Sequence, residues 1–325
     1  MARDQAWNVD RLVESVLREV EPLPDSDVLL VDSASSDGTA ERAARHPIRV
    51  LKLAADQPLT PAAGRFVGFQ QTAGELVLFL DGDMMLCPGW LEQAIDLMQE
   101  RPEVAGVCGQ LLERPPGSPA EPLEAGGGKA PSSEVRHSGG AVLHRRSALD
   151  EVGPFNPHLR SDEEPELCIR LRGAGYRVVR LERPAAYHFA TPSEAISTLL
   201  ARRRRGLYIG AGQAIRHNLG TGALWPYVRE RGFGLVPGIG LAAGVAALLA
   251  ATRTGRRGLL GAWLATFGGF LAIDVWRKRS PYRTLFSLVL RLMILEGTIR
   301  GFLRTPLPPA AYPARFEMVQ ATPSG

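Results

Sequence analysis

Residues 76–83 read LVLFLDGD, an apolar run followed by Asp81, Gly82 and Asp83. A short apolar run of this kind is typical of a buried strand in an α/β sheet. Sheets of that class bind their ligands at the carboxyl ends of the strands. Two carboxylates separated by a glycine can both face one divalent cation, because Mg²⁺ and Mn²⁺ prefer oxygen ligands. The stretch predicts a metal–diphosphate site, although an acidic turn after a strand is an equally good interpretation of these residues alone.

The residues around this strand alternate between helical patterns and apolar runs. The predicted helices cover 9–20, 39–45, 62–72, 88–99 and 161–173, and the predicted strands cover 28–31, 48–53, 76–80 and 176–181. Such alternation favours an α/β fold with a mostly parallel central sheet. Residues 113–133 are rich in Pro, Gly, Ala and Ser and predict a mobile loop, and residues 139–160 predict a turn-rich segment.

A second apolar strand ends in an acid, in the stretch LLVDSASSDGT at residues 29–39. An ionised carboxylate only accepts hydrogen bonds, so Asp32 can accept them from a nucleobase or a ribose. Asp37 precedes a predicted helix, where a side chain of this type usually caps the helix. We therefore interpret Asp32 as a ligand-binding residue and Asp37 as a cap.

A cluster of acids opens the helix predicted at residues 161–173. The helix dipole stabilises acids in the first turn, and this suffices to explain Asp162 and Glu166. Glu163 and Glu164 are candidates for a general base that deprotonates an acceptor hydroxyl. Crowding of like charges should raise the pKa of at least one of these carboxyl groups.

Three further groups of basic or imidazole side chains admit two interpretations each. His188 follows a predicted strand and can complete a metal site, although a lone histidine is more often structural. Arg65 can bind a diphosphate by a charge-assisted fork, or it is a solvated helix arginine. Residues 202–205 are four arginines that bind phosphates or lipid headgroups, or simply anchor a helix beside a membrane.

Composition excludes several classes of protein. The chain has 325 residues with a formal net charge of +4, and 22% of the residues are charged, which does not indicate disorder. No interleaving of aromatic and basic residues of the kind that stacks nucleobases is present, so no nucleic-acid partner is expected. The three cysteines form no CxxC pair, which argues against a zinc site or disulfide framework and for a reducing compartment.

The C-terminal third is apolar in long stretches. Residues 233–251 and 258–275 are about long enough to cross a bilayer, whereas 285–303 carries charges that favour an interfacial amphipathic helix. The alternative is that the two long stretches are buried helices of a soluble protein. The predicted organisation is an α/β domain at 1–215 and a membrane-associated helical region at 216–325.

Four stretches resemble the family 2 glycosyltransferases, which have the GT-A fold, and the resemblance extends from the first residues to about Gly210. The stretches, in chain order, are LLVDSASSDGT, AAGRFVGFQQTAGELVLFLDGD, SGGAVLHRRSALDEVGPFN and DEEPELCIRLRGAGYRV. They look like the family's nucleotide-binding strand and turn, its arginine-containing helix and metal motif, its acceptor-side segment, and its catalytic acid–acid motif. No single stretch is decisive, but the four together in this order favour the family.

The resemblance implies a role for each matching residue. Asp32 would contact the nucleotide base, and both acids of the DGD stretch would hold nucleotide and metal. Glu163 and Glu164 match the family's usual Glu-Asp pair, which places the catalytic base at Glu164. His188 matches a histidine that binds the metal in some members.

The sequence departs from the family pattern at three places. The family opens with an apolar strand and a proline-containing turn, whereas this sequence begins at Met1, within that turn, so we expect the first strand to be missing and the base-binding end of the pocket to be incomplete. The base is a glutamate where an aspartate is usual. Residues 213–217, QAIRH, have the spacing of the Gln-x-x-Arg-Trp motif of processive synthases but lack the tryptophan, which favours transfer of a single sugar.

These expectations describe an inverting glycosyltransferase that uses Mg²⁺ or Mn²⁺. It would move one sugar from a UDP- or GDP-sugar to a lipid-linked or glycan acceptor, at the cell membrane, with its catalytic domain in the cytoplasm. One alternative is a sugar-nucleotidyltransferase, but the sequence lacks the glycine-rich, basic phosphate loop that such an enzyme needs near its N-terminus. The other is a catalytically inactive membrane scaffold, which the missing strand favours and the retained acids oppose.

Overall fold

A computed structural model of the chain describes residues 1–23, 25–119, 128–190, 193–254 and 256–321. The chain forms two compact units, one made of Met1–Thr191 with Leu307–Gly325 and the other of Pro192–Pro306. The two units are defined by how the helices and strands pack. The predicted boundary between residues 215 and 216 was drawn from composition instead.

The first unit combines strands and helices. Its strands are β1 (Leu29–Asp32), β2 (Arg49–Leu53), β3 (Leu76–Leu80), β4 (Met84–Leu86), β5 (Val104–Arg114), β6 (Ser132–Glu134), β7 (Ala141–Arg145), β8 (Arg177–Phe189) and β9 (Phe316–Gln320). Its helices are α1 (Val9–Val20), α2 (Thr39–Ala43), α3 (Pro61–Gln70), α4 (Trp90–Glu100), α5 (Arg146–Val152) and α6 (Glu163–Gly173).

The described strands form two mixed sheets. One has the order β1-β2-β9, and the other has the order β3-β7-β5-β8-β4 with β6 paired to β8. Only the β1–β2 and β5–β8 pairs are parallel. The α/β class is confirmed, but the expectation of a mostly parallel central sheet is wrong. The reason is β7, which lies antiparallel between β3 and β5 and comes from the segment predicted to be turns.

Several predicted element ends also shift. Helix α4 begins at Trp90 and not at Pro88, because Gly89 adopts a left-handed backbone with φ of 68° before it. Strand β8 runs on to Phe189, so His188 lies within a strand. Strand β5 reaches Arg114 and β6 begins at Ser132, which shortens the predicted loop at both ends. Within that loop, residues 120–127 lie outside the described part of the chain.

The six-stranded sheet is packed on both faces. Trp90 is fully buried in the cluster that also contains Leu143, and Phe155 is fully buried in the cluster on Phe79. The rings of Phe79 and Phe155 meet edge to face, with centroids 5.1 Å apart. This packing fixes β3 and therefore the start of the DGD turn that follows it.

Met1 and Ala2 lie between the carboxyl ends of β1 and β3. The Ala2 N–H donates to the Val31 carbonyl at 3.0 Å, and the Met1 ammonium group donates to the Leu80 carbonyl at 2.8 Å. Ala2 also pairs with Asp32 in parallel. Further along the two strands, a cavity of about 480 Å³ separates them, and mostly apolar side chains line it. The first two residues thus bridge the sheets at the end where the site residues lie.

The second unit is helical. Its helices are α7 (Ile196–Arg204), α8 (Gly210–His217), α9 (Leu224–Arg231), α10 (Val236–Thr254), α11 (Arg257–Lys278) and α12 (Pro281–Phe302). Two stretches among the described residues are long and apolar enough to cross a membrane, Leu224–Thr254 and Arg257–Lys278. They contain the predicted spans at 233–251 and 258–275, and α11 buries none of its side chains within the protein.

The chain returns to the first unit after α12. Strand β9 pairs antiparallel with β2, and Tyr312 is buried beside Phe66, with ring centroids 6.1 Å apart. The side chain of Gln57 makes two hydrogen bonds to the backbone of Arg315, at 2.7 and 3.0 Å. These contacts complete the outer edge of the β1-β2-β9 sheet.

Candidate active site

Asn8 holds the backbone of the DGD turn in place. The Asn8 side chain is buried, and its Nδ2 donates to the carbonyls of Gly82 and Met84 at 3.0 and 2.9 Å. A Cβ atom on Gly82 would lie 2.9 Å from the Cα atom of Ala2, so only glycine fits there. The two acids of the turn therefore have a rigid support. Sequence reasoning missed Asn8, whose position just before a helix suggests only a cap, and its side chain makes no capping hydrogen bond.

Arg65 lies at the centre of a group of carboxylates. It is 3% exposed, and its guanidinium is 2.8 Å from Asp81, 2.7 Å from Glu163 and 3.0 Å from Glu164. The predicted acids at the end of β3 and the start of α6 are thus brought together by one arginine on α3. The fork of Arg65 is occupied by side chains of the protein, and a direct contact with a diphosphate stays a prediction. We name this group the Arg65 cluster: Arg65, Asp81, Glu163 and Glu164.

The Arg65 cluster has more negative than positive groups. Burial lowers the pKa of the guanidinium, but Asp81 and the two glutamates raise it by more, so its net shift is upward. Burial, together with the neighbouring Glu164, raises the pKa of Glu163 to about 7. The two shifts are compatible because three carboxylates share one cation, and at Glu163 the effect of burial outweighs the attraction of Arg65. Of the two neighbouring carboxyl groups, Glu163 and Glu164, the one with the raised pKa is therefore Glu163.

Gly140 packs directly against Asp81. Its carbonyl accepts the Asp81 N–H at 3.2 Å, and a Cβ atom on Gly140 would lie 2.2 Å from Asp81 Oδ2. A Cβ atom on the neighbouring Gly139 would meet nothing closer than 3.6 Å. Only the second glycine of the SGG stretch is thus required by its surroundings, a distinction that the sequence does not reveal.

His188 lies between two carboxylates on the other side of the DGD turn. Its Nε2 is 3.5 Å from Asp83 Oδ2, and its Nδ1 is 2.9 Å from Glu113 Oε1. Asp83 raises the pKa of His188 most and Glu113 adds to this, whereas burial opposes them, and the result is about 9. His188 and Asp83, both predicted metal ligands, therefore lie next to each other in the structure. Glu113 was missed because its segment reads as a loop.

The residues present fit a cation that is shared with a phosphate ligand. Among the described residues, no group of three or more His, Cys, Asp or Glu side chains is arranged to hold a metal ion. Asp83 and His188 supply one oxygen and one nitrogen, while Asp81 is tied to Arg65 through Oδ1. Mg²⁺ in particular is usually bound by one or two carboxylates together with substrate phosphates. A two-residue protein site is consistent with that mode of binding.

Asp32 is buried at the end of β1. One of its oxygens accepts the Ser35 N–H at 2.8 Å, and the other has no hydrogen-bond partner in the described part of the chain. Burial raises the pKa of Asp32. A buried acceptor without a partner costs about 1–3 kcal/mol, which a donor from a ligand would recover. Asp37 accepts the Thr39 N–H at 3.1 Å, but Gly38 is the N-cap of α2 and no described side chain caps this helix, so the interpretation of Asp37 as a cap is wrong.

Comparison with known proteins matches the first half of the chain to one family. Residues 4–152 match the model of the family described as Glycosyl transferase family 2. The chain is 25% identical over 218 residues to the glycosyltransferase AglE of Haloferax volcanii, which covers 65% of this chain and 70% of that protein. It is 32% identical over 130 residues to the pre-mycofactocin glycosyltransferase of Mycobacterium tuberculosis, covering 36% of this chain and 27% of that protein.

A solved structure supports the fold. The mannosyltransferase PcManGT from Pyrobaculum calidifontis, in complex with GDP-Man and Mn²⁺, aligns with a TM-score of 0.59 at 18% identity, over 93% of this chain and 85% of that one. The expected GT-A fold is thereby confirmed. The matched sequence, the named relatives and this fold agree: residues 4–152 match glycosyl transferase family 2, and the chain is a glycosyltransferase.

Proposed function

We propose that this enzyme moves a single sugar from a UDP- or GDP-linked donor to a hydroxyl group of a lipid-linked or glycan acceptor, with inversion at the anomeric carbon. The observation that carries the proposal is the Arg65 cluster. One guanidinium nitrogen, Nη2, lies within 3.0 Å of both Asp81 and Glu164. The end of β3 and the proposed base on α6 are therefore fixed relative to each other.

Glu164 is the proposed base. Its side chain is 21% exposed, whereas that of Glu163 is 6% exposed, so Glu164 is the one of the pair that an acceptor can reach. In the transfer step, Glu164 takes the proton of the acceptor hydroxyl, the acceptor oxygen forms a bond to the anomeric carbon, and the bond from that carbon to the diphosphate oxygen breaks. The electron pair of the broken bond leaves with the diphosphate. A base positioned in this way contributes roughly 10²–10⁴-fold to the rate.

Asp83 and His188 are the proposed ligands of Mg²⁺ or Mn²⁺, with Asp81 beside them. A divalent cation bound there supplies positive charge to the leaving diphosphate. Arg65 pairs with carboxylates of the protein itself. Its proposed role is therefore to position Asp81 and Glu164. Asp32, with its unpaired buried oxygen, is the proposed acceptor of hydrogen bonds from the nucleotide.

The second unit supports attachment to the cell membrane. Large apolar side chains of α10 and α11 face outward, including Ile239 at 70%, Leu264 at 54% and Trp276 at 80% exposure. Side chains this apolar are stable in contact with lipid. We propose that the catalytic unit lies at the cytoplasmic face of the cell membrane, because an acceptor carried by a lipid would then be close to it.

A screen of nucleotide sugars tests the donor and the metal. The full-length enzyme in detergent is incubated with UDP- and GDP-sugars and extracted membrane lipids, with Mn²⁺, Mg²⁺ or a chelator. We expect transfer that needs a divalent cation and a product anomer opposite to that of the donor, read by NMR. Asp83→Asn should lose metal-stimulated transfer, whereas Asp96→Asn, an exposed carboxylate on α4, serves as the matched control. Transfer at an undiminished rate in chelator would refute the metal dependence.

Membrane attachment is tested by extraction of cell membranes at alkaline pH. Native enzyme should remain in the membrane pellet. A Leu264→Arg, Phe270→Arg double variant of α11 should be released in larger part, because a central arginine in a span costs about 2.5–3.5 kcal/mol. The Leu264→Ala, Phe270→Ala variant is the control for loss of side-chain volume. Complete release of the native enzyme would contradict a membrane-spanning second unit.

A further inference from the structure

We propose that Glu113 is a positioning residue that holds the imidazole of His188 so that Nε2 faces Asp83. The inference rests on the proposed metal site and concerns how that site is built. Both oxygens of Glu113 lie within hydrogen-bond distance of His188 Nδ1, at 2.9 and 3.0 Å. The three side chains thus form a row in the order Glu113, His188, Asp83.

Strand register creates this row. Glu113 on β5 and His188 on β8 are direct neighbours in a parallel pair, and His188 is opposite Met84 on β4. Met84 follows Asp83 in the chain, and the Phe189 N–H donates to the Asp83 carbonyl at 2.8 Å. Three strands therefore fix the backbones of all three residues. Whether the row forms then depends mainly on the rotation of the three side chains.

The hydrogen-bonding chemistry then settles the direction of the ring. An ionised carboxylate can only accept, so the hydrogen atom between Glu113 and His188 belongs to Nδ1. In a neutral imidazole the lone pair is then on Nε2, the atom that lies 3.5 Å from Asp83 Oδ2. Metal-binding histidines usually donate their other N–H group to a carboxylate or carbonyl in this way, and loss of that partner typically weakens metal binding by 10–100-fold.

The exposure of Glu113 separates this role from a contribution to folding. Its side chain is 53% exposed, and ion pairs at such positions contribute about 0–1 kcal/mol to stability. Variants of Glu113 should therefore fold like the native enzyme. A role in orienting His188 would show itself in metal binding and in the bond between the metal and the imidazole.

The test compares Mn²⁺ binding in full-length native enzyme, Glu113→Ala, Glu113→Gln and Glu134→Ala. Mn²⁺ is titrated with and without GDP and followed by electron paramagnetic resonance, and pulsed measurements detect coupling of the bound Mn²⁺ to an imidazole nitrogen. Glutamine keeps an oxygen that accepts from Nδ1, whereas alanine removes it. Glu134 is an exposed carboxylate on the neighbouring strand β6 and controls for loss of surface charge.

We expect Glu113→Ala to weaken Mn²⁺ binding by about 10–100-fold and to reduce the nitrogen coupling. Glu113→Gln should restore a large part of both, and Glu134→Ala should match the native enzyme. The inference is overturned if Glu113→Ala retains native affinity and coupling while Asp83→Asn and His188→Ala lose them, and the metal site itself then still stands. If those last two variants also bind Mn²⁺ like the native enzyme, the proposed metal site fails and the inference fails with it.

Discussion

Arg65 and Asp81 form a salt bridge of 2.8 Å in which the arginine side chain is only 2% exposed. Taking a guanidinium out of water costs several kcal/mol, so the surrounding carboxylates must compensate for it. Arg65 is therefore the residue on which the geometry of the predicted acids depends, whereas the sequence suggested either a diphosphate ligand or a solvated helix arginine.

We predict that Arg65→Met destabilises the enzyme by about 3–5 kcal/mol, because it leaves three clustered carboxyl groups, Asp81, Glu163 and Glu164, without their shared cation. Arg65→Lys should fall between this variant and the native enzyme, since an ammonium group keeps the charge but not the fork. Unfolding by denaturant measures the difference. A loss below about 1 kcal/mol for Arg65→Met would show that the cluster is not held by the arginine.

The two adjacent glutamates should respond differently to the same change. Glu164→Gln should lower kcat by roughly 10²–10⁴-fold and leave nucleotide binding unchanged, because only proton removal is lost. Glu163→Gln should lower kcat by less than about tenfold, since a buried amide still accepts from Arg65. Steady-state kinetics measure kcat of the two variants, and nucleotide titrations measure their binding. The reverse ranking of the two variants would move the base to Glu163.

Gly140→Ala should weaken nucleotide binding in the presence of Mn²⁺, because the added methyl group would lie 2.2 Å from Asp81 Oδ2 and displace that carboxylate. Overpacking of this kind also costs about 1–3 kcal/mol of stability. Gly139→Ala is the matched control, since its Cβ atom would have ordinary contacts only. Calorimetric titration with UDP and GDP measures the effect, and equal affinities for the two variants would contradict it.

His144 should give stability a distinct pH dependence. It lies on β7 between β3 and β5 and is fully buried, and burial lowers its pKa from 6.5 to about 4. The neutral ring is therefore favoured in the native state, and its contribution is complete above pH 6.5. That contribution, about 3 kcal/mol, is lost as pH falls from 6.5 towards 4.

His144→Gln removes the titration and keeps a donor for the Ala105 carbonyl, which lies 3.0 Å from His144 Nδ1 in the native enzyme. The free energy of unfolding, measured from pH 7 to pH 4, should therefore fall less steeply in the variant. Parallel curves for the two proteins would show that the ring is protonated in the native state without cost.

The local signals in the sequence located most of the residues of the candidate site. Apolar runs that end in acids gave Asp32 and the DGD stretch, and an acid-rich helix start gave Glu163 and Glu164. All of these depend on neighbours within about ten residues, which is the range over which periodicity and turn signals operate. The joining of the DGD stretch to α6 depends on Arg65, which is 98 residues from Glu163, and no local pattern encodes such a contact.

The sheet topology was less predictable for the same reason. Residues 141–145, AVLHR, are too short to be distinguished from the turns on either side, yet as β7 they separate β3 from β5. Their antiparallel insertion is decided by packing between distant segments. Glu113 was similarly placed in a loop because the composition of residues after 114 dominates its neighbourhood. The strand extends that far only because β8 lies beside it.

The pairing of β2 with β9 also has a consequence for the synthesis of the protein. Gln57 and Arg315 are 258 residues apart, and the helices of the second unit are translated between them. During translation the outer edge of β2 therefore remains unpaired while the apolar helices α10 and α11 leave the ribosome. Unpaired edges invite aggregation, and contacts between distant residues form slowly. The first unit therefore reaches its final form only after α10 and α11 have been synthesised.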